Sequence, residues 1–311
     1  MEIYVIAGPT AIGKTAAAIA LAHLVGGEII SADSMQVYRG MDIATAKPSH
    51  DEMEGITHHL LDVVYPDEHF SVALYQKMAT KAIDEIRSRG KIPIVVGGTG
   101  FYINALIFGA EFSENSFNKE EQLRDSYIEL AKEKGAELIY EQLLLADPVY
   151  ASIQHPNNIK RIARALAYCK STGKLFSEHN LSQKNKQHLY ETRFVVLTMQ
   201  RDTLYNRINT RTEKMFGAGL MEETVALLAK GYNEGLASMN GIGYKEMVRF
   251  LSGEISKDKA ISNTQQATRN YAKRQITWFK NQNPTACFIE ADGKIPEELA
   301  KKITNPNKPT H

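Results

Sequence analysis

Short apolar runs alternate with helical periodicity through the first hundred residues. Met1–Ala7 (MEIYVIA), Glu28–Asp33 and Lys91–Val96 read as short buried strands, each running into a glycine-rich or polar turn. Between them, Ala16–Leu24 is an Ala-rich helical run. Phe70–Arg89 carries Val72, Tyr75, Ala79, Ile83 and Ile86 on one stripe and is closed by Gly90. Strands alternating with helices predict a parallel sheet. From Glu111 to about Tyr190 the character becomes helical and charged, with helices expected over Lys119–Lys134, Gly135–Ala146 and Asn157–Ser171. Asp147-Pro148 and His155-Pro156 mark the breaks. Thr192–Met199 then reads as a strand returning to the sheet, followed by helices over Asp202–Met215, Glu222–Lys230 and Thr268–Lys280. The pattern predicts a core domain over 1–112 and 191–311, interrupted by an all-helical insertion over 113–190.

The first strand leads into Gly8-Pro9-Thr10-Ala11-Ile12-Gly13-Lys14-Thr15, the spacing G-x-x-x-x-G-K-T, followed at once by a helix. In that context the motif is a phosphate cradle, and it makes the expected fold an α/β, P-loop NTPase-like parallel sheet flanked by helices. Gly8 and Gly13 let successive backbone N–H groups turn toward one anion, and the helix adds its positive end. Lys14 supplies a mobile charge, and the Thr15 hydroxyl is a candidate Mg²⁺ ligand. The motif fixes a di- or triphosphate without saying which.

Ligands gather outside the carboxyl ends of strands in such sheets. Asp33 ends the second strand there, as a metal ligand through water, as a general base, or simply as a cap of the next turn. Ser34–Asp42 follows as a polar loop bearing Gln36, Tyr38 and Arg39. The pair His58-His59 has no third ligand at a convincing spacing, so a loop near substrate or a structural loop is expected there. The third strand ends in Gly97-Gly98-Thr99, where ATPases and GTPases tend to carry a metal-binding Asp, and no N-K-x-D guanine reader is present. Thr99 is therefore a candidate contact to the reacting group. Arg207 and Arg211, spaced i,i+4, can clamp a diphosphate opposite Lys14 or pair with Asp202 and Glu213.

Composition narrows the partners. The chain of 311 residues is 43 % hydrophobic and 23 % charged, with a net charge of +1, ordinary for a soluble enzyme. Two distant cysteines exclude a zinc ribbon or a disulfide framework. No apolar run spans a membrane, and a cytoplasmic protein with no membrane partner is expected. Between Asn157 and Lys214, however, twelve Lys and Arg face four Asp and Glu, a local excess of 12 − 4 = +8. That imbalance reads as a footprint for a polyanion. On Thr268–Lys280, Arg269, Lys273 and Lys280 share one helix face, with Tyr271, Arg274 and Trp278 opposite. A cationic stripe backed by aromatics suits phosphates and base stacking, while Trp278, the single tryptophan, also reads as the helix's core anchor.

Taken together, GPTAIGKT, SADSMQVYRGMDIATAKP, THHLLDV, VGGTGFY, NNIKRIARAL, GIGYKE and TRNYAKRQITWF, in that order along nearly the whole chain, resemble the tRNA dimethylallyltransferases. The resemblance implies transfer of a dimethylallyl group from dimethylallyl diphosphate to N6 of the adenosine adjacent to the anticodon. It assigns the leaving diphosphate to Gly8–Thr15 with Mg²⁺ on Thr15, proton removal to Asp33, and positioning to Thr99. Lys14 with Arg207 or Arg211 would stabilise the departing charge. It further implies tRNA (anticodon stem-loop) contacts at Asp33, Ser34, Met35, Gln36, Thr99 and Arg124. Others would fall at Lys160, Arg161, Ile162, Ala163 and Arg164, and at Lys273, Arg274, Gln275, Trp278 and Lys280. A monomer is expected. Where members often carry Gly-Thr-Ala-Lys, this chain has Ala44-Thr45-Ala46-Lys47, which puts the loop's backbone angles in question.

The residues alone admit two rivals. A P-loop small-molecule kinase using ATP accounts for the loop and Asp33 but leaves the basic stretches idle. A nucleotide-gated RNA-binding protein accounts for the charge but leaves Asp33 and Thr99 idle.

Overall fold

A strand without a polar face has to be covered on both sides, and β1 (Ile3–Ala7) is buried at every residue. In the computed structural model, which describes residues 2–109, 114–184 and 189–305, β1 lies inside a parallel sheet. The other strands are β2 (Gly27–Ser31), β3 (His58–His59), β4 (Ile92–Gly97), β5 (Thr192–Thr198) and β6 (Cys287–Glu290). Their order is β3-β2-β4-β1-β5-β6, every pairing parallel. Register places Ala7 beside Gly97 and Val196, and Ser31 beside Val96, so β2, β4, β1 and β5 end together along one edge. β3 and β6 are short edge strands that the hydrophobic pattern does not single out.

Helices Lys14–Val25 and Pro296–Thr304 pack on each other and share one core with Ile6, Ile29 and Ile94. Helix Val72–Ser88 buries the expected stripe, capped by the Ser71 hydroxyl, and its Tyr75 stacks on Tyr102 with ring centroids 4.3 Å apart. Helix Lys257–Gln282 packs on helix Arg201–Gly217. A second core of the same unit gathers Val37, Tyr38, Met41, Phe216, Leu220 and Tyr244.

The chain divides into two compact units, Met1–Ile107 with Tyr190–His311, and Phe108–Leu189. The expected boundary at 112–113 lies outside the described residues. The second unit carries helices Glu114–Lys134, Ala136–Ala146, Pro148–Ala151, Ile159–Thr172 and Phe176–Lys184 around Ile139, Leu143, Tyr150, Ile162 and Leu166. Its Asp147-Pro148 break is a cap: buried Asp147 accepts hydrogen bonds from the N–H of Tyr150 at 3.0 Å and of Ser177 at 2.7 Å. Among the described residues no helix is long and apolar enough to cross a membrane.

Three local expectations are corrected. His58-His59 is not a loop but strand β3, paired to β2, and no group of three metal-ligating side chains occurs among the described residues. Tyr38 is not a polar loop residue but part of the second core, its backbone bridged to Val64. Ala44 does not take a left-handed φ; within that loop only Ala46 does, at 47°, so replacing glycine at position 44 costs the loop nothing in backbone strain.

The histidine strand ends in an ionic cluster. Glu28, 3 % exposed, accepts from Arg89 Nη2 at 2.7 Å, and lies 2.7 Å from His59 Nε2 and 3.0 Å from Lys91 Nζ. Burial alone would raise its carboxyl, but hydrogen bonds from Arg89, His59 and Lys91 outweigh that and hold it at about 2. A carboxyl held below its ordinary 4.5 contributes stability in full above that value and loses it as pH falls toward about 2. Denaturant unfolding along that acid limb should therefore show falling stability in the wild type. Glu28→Gln, leaving partly hydrated cations unpaired, should cost about 2 kcal/mol near neutrality and flatten the limb. An unchanged limb in Glu28→Gln would contradict the assignment.

Candidate active site

The cradle is built where β1 ends. Gly8, with φ 145°, has no room for a Cβ, which would meet the Leu197 carbonyl of β5 at 2.8 Å. Ala11 takes φ 64° and Gly13 φ 98°, and helix Lys14–Val25 starts directly after. Alternating left-handed residues at a helix start form a concave nest of N–H groups, the geometry of an anion site. Gly8, Pro9 and Ile12 are buried, which leaves Thr10, Ala11, Gly13, Lys14 and Thr15 as the rim.

Cations converge on this nest. Lys14 Nζ folds back to the Pro9 carbonyl at 2.8 Å. Arg207 Nη2 hangs 3.5 Å from where a Gly13 Cβ would sit. Arg211 feels both Lys14 and Asp33. Both arginines of the Arg201–Gly217 helix thus lie near the cradle, with Arg207 over the loop and Arg211 the more buried of the two. Burial, opposed by Asp33 and Glu52, pulls the Arg211 guanidinium below its ordinary value. Burial also lowers the Lys14 ammonium to about 8, with Asp33 opposing and Arg211 adding to the shift.

Asp33 follows β2 and Thr99 follows β4. They are brought together because Gly97 has no side chain: a Cβ there would lie 2.1 Å from the Ala32 carbonyl oxygen. The Thr99 N–H donates to that carbonyl at 3.1 Å, and Thr99 Oγ1 accepts from the Ser34 N–H at 3.1 Å. Asp33 Oδ1 accepts from the Met35 N–H at 2.8 Å. Its charge reaches Lys14, Arg211, Tyr102 and Tyr271, and it raises the hydroxyl pKa of both tyrosines beyond what burial does.

Helix Lys257–Gln282 closes the site from behind. Gln275 Oε1 accepts from the Thr10 N–H at 2.9 Å, and its Nε2 donates to the Gly98 carbonyl at 3.0 Å. Tyr271 stands one turn before Gln275 on this helix and is half-buried. Trp278 lies against Gly100, where a Cβ would be 2.1 Å from its Nε1, and meets Phe101 edge-on.

Several expected RNA contacts are redirected. Gln275 is 5 % exposed with both amide ends engaged inside the protein. Ile162 and Ala163 are fully buried in the core of the second unit. These three side chains have no surface to offer RNA. Gln36 braces its own loop, its Nε2 donating to the carbonyls of Thr45 and Ala46. Met35 packs on Gly241. Trp278 and Tyr271 turn into the protein instead of forming a stacking surface, and Arg269 is held by Asn209 and Gln266. By contrast Lys160, Arg161, Arg164, Lys273, Arg274 and Lys280 are exposed. Arg124 is half-buried and paired with Asp125. The basic excess divides: Lys160–Arg164 belongs to the second unit and Arg207 and Arg211 to the cradle, while Arg193 pairs with Glu2. Lys186 lies outside the described residues.

Two site residues escaped the sequence reading. Tyr271 was placed only by helix face, and its i,i+4 relation to Gln275 was the available signal. Glu223 carried none. Its carboxylate accepts from the N–H groups of Asp42 and Ile43 and from the Tyr244 hydroxyl, and so holds the loop after Asp33 to the second core.

An N–H nest with three cations, a carboxylate and a hydroxyl beside it can hold a diphosphate, stabilise charge growing on it, and take a proton from a nucleophile delivered to Asp33. The comparisons match this chemistry. The IPP transferase family model matches residues 36–282. The tRNA dimethylallyltransferase of Geobacillus thermodenitrificans (strain NG80-2) is 48 % identical over 302 residues, covering 97 % of this chain and 94 % of the relative. The solved tRNA delta(2)-isopentenylpyrophosphate transferase of Staphylococcus epidermidis is 39 % identical with TM-score 0.71, each chain covered to 98 %. A eukaryotic dimethylallyltransferase solved acting on tRNA is 30 % identical with TM-score 0.81, covering 98 % of this chain and 76 % of the other.

Because Lys14 sits at about 8, it loses its charge as pH rises through that value. Calorimetry with inorganic diphosphate should show the affinity of the wild type relative to Lys14→Met falling between about pH 7 and about pH 9.5. A constant ratio would contradict the desolvated Lys14.

Proposed function

The chain belongs to the IPP transferase family, and from that premise we propose that it transfers a dimethylallyl group from dimethylallyl diphosphate to N6 of the adenosine adjacent to the anticodon of tRNA. The observation that carries this reading is the meeting of cradle, Asp33 and Thr99 at three adjacent strand ends. The exocyclic amine attacks C1 of the allyl group and the C1–O bond breaks. The electron pair leaves on the diphosphate, and the N6 proton passes to Asp33. Loop N–H groups, Lys14, Arg207 and Arg211 stabilise the leaving group. A stacked base has to be splayed from the anticodon loop to reach Asp33.

Thr15 would hold Mg²⁺, which supplies further neutralisation of the diphosphate. One hydroxyl, with no group of three metal-ligating side chains among the described residues, fits an ion carried chiefly by substrate oxygens and water. Exposed Lys160, Arg161, Arg164, Lys273, Arg274 and Lys280 supply the phosphate contacts to the tRNA. Every reacting group lies in the first unit, so the reading requires no residue from a second copy of the chain.

The test supplies labelled dimethylallyl diphosphate and an anticodon stem-loop, with ATP and the same RNA in a parallel arm. Label should enter RNA in the first arm only; ATP hydrolysis or phosphorylated product without prenylated RNA would establish the kinase reading instead. Asp33→Asn should lower the single-turnover rate about 10²- to 10⁴-fold with RNA affinity retained, and a near-normal rate would remove Asp33 as the base. Replacing Lys273 and Lys280 by Gln should weaken RNA binding and reduce the slope of log affinity against log salt by about 1 to 2. An unaltered slope would take that helix face out of the interface.

A further inference from the structure

We propose that Gln275 is a positioning residue for the transfer: its amide straps the phosphate cradle to the turn that carries Thr99, and so fixes the spacing between the leaving group and the groups that receive the nucleophile. The assignment rests on the prenyl-transfer reading. Pairing of β1 with β4 ends at Ala7 and Gly97, and beyond that point a side chain bridges the two loops. The Thr10 N–H can only donate, so the end of Gln275 facing it at 2.9 Å is the carbonyl oxygen. The NH₂ end donates to the Gly98 carbonyl at 3.0 Å. Both partners are backbone groups, 265 and 177 positions away in the chain, so one planar amide gauges one loop against the other.

A polar side chain in this place is itself informative. Gln275 is 5 % exposed, and a buried amide that supplied only bulk would cost stability against an apolar residue of similar length. Gly98 makes room for it, since a Cβ there would collide with the Gln275 Nε2. The Thr99 turn carries Asp33 with it, because the Thr99 N–H donates to the Ala32 carbonyl. The helix bearing Gln275 is fastened in turn to the helix of Arg207 and Arg211. Gln265 Nε2 donates to the Asn209 carbonyl at 3.4 Å, and Arg269 Nη1 to Asn209 Oδ1 at 2.6 Å. One helix therefore holds cradle, Thr99 turn and guanidinium groups in a common frame.

Only a side chain with an acceptor and a donor on one planar group makes both bonds. Gln275→Met keeps the length and loses both. Gln275→Glu keeps the acceptor for Thr10 but sets a second carboxylate oxygen against the Gly98 carbonyl. Protonation repairs that contact: the acid O–H donates to Gly98 while its C=O still accepts from Thr10. Burial and the facing carbonyl disfavour the charged form, so this acid titrates above the ordinary carboxyl range. The strap then returns as pH falls through that value. Lys14, Asp33, Arg207 and Arg211 around the cradle, and Tyr271 on the same helix, are common to wild type and variants. Rates taken relative to wild type therefore isolate position 275.

Single-turnover transfer into the anticodon stem-loop should be about tenfold to 10²-fold slower in Gln275→Met at every pH, the effect of displacing reacting groups without removing one. Half-saturating concentrations should rise by no more than about threefold, the worth of one neutral hydrogen bond. Gln275→Glu should be at least as slow at high pH, and on acidification it should overtake Gln275→Met and approach wild type. Calorimetry with inorganic diphosphate reads the strap without catalysis and should rank the proteins in the same order, within about threefold. Gln275→Met as fast as wild type would overturn the strap, since bulk alone would suffice. Gln275→Glu that gains nothing on acidification would overturn it too, even if Gln275→Met failed to fold. Recovery only to the Gln275→Met rate would also overturn it, showing charge and not geometry at work. Wild-type protein that transfers no label but keeps the calorimetric order would overturn prenyl transfer and leave the strap standing.

Discussion

The backbone contact between Gly97 and Ala32 is the constraint on which the site depends. Side chains normally hold neighbouring strands and their loops apart; here a Cβ on Gly97 would fall 2.1 Å from the Ala32 carbonyl. Its absence lets the loop after β4 lie directly on the turn after β2, close enough for the Thr99 N–H to bond that carbonyl. Asp33 and Thr99, 66 positions apart in the chain, thereby become neighbours without flexible side chains bridging them. Because β4 also pairs with β1, the same strand carries them to the phosphate nest. Gly98 answers to the same logic, since only a residue without a side chain leaves room for the Gln275 amide.

Electrostatics then explains the residue choice. Burying charge beside the nest is costly, and the depressed Lys14 and Arg211 values record chiefly that burial, with Arg211 adding to the shift of Lys14. Asp33 offsets part of that cost, and a bound diphosphate would offset more. The Asp33 carboxylate thus lies within electrostatic reach of Lys14 and Arg211, and in the proposed reaction this would tie proton removal to diphosphate binding. Glu223, bracing the loop after Asp33 from the second core, keeps the carboxylate's surroundings fixed although they are loop and not strand.

Much of this was legible in the chain. The cradle announced itself because its chemistry needs glycine at two fixed positions and a lysine beside the second. β1, β2, β4 and β5 were visible because strands buried on both faces are nearly all apolar. Short edge strands escaped because two residues of His58-His59 carry no period, and the sheet rather than the local sequence makes them strand. The Asn157–Lys214 charge excess is a linear count, and it merges residues that the fold sends to different units. Gln275 looked like a surface residue within a basic motif. Its burial follows from where helix Lys257–Gln282 meets Gly98, a tertiary contact no helical period encodes. Tyr271 turned inward for the same reason.

The central claim is that one cradle and one carboxylate, fixed by adjoining strand ends, act on the two sides of a single C–O bond. The most direct measurement is a crystal structure of the protein with a non-reactive thiodiphosphate analogue of the allylic substrate and an anticodon stem-loop. The account predicts the diphosphate on the N–H groups of Ala11–Thr15, with the splayed adenine amine within hydrogen-bond distance of Asp33 and its nitrogen in line with C1. A diphosphate bound elsewhere, or an adenine amine remote from Asp33, would contradict it.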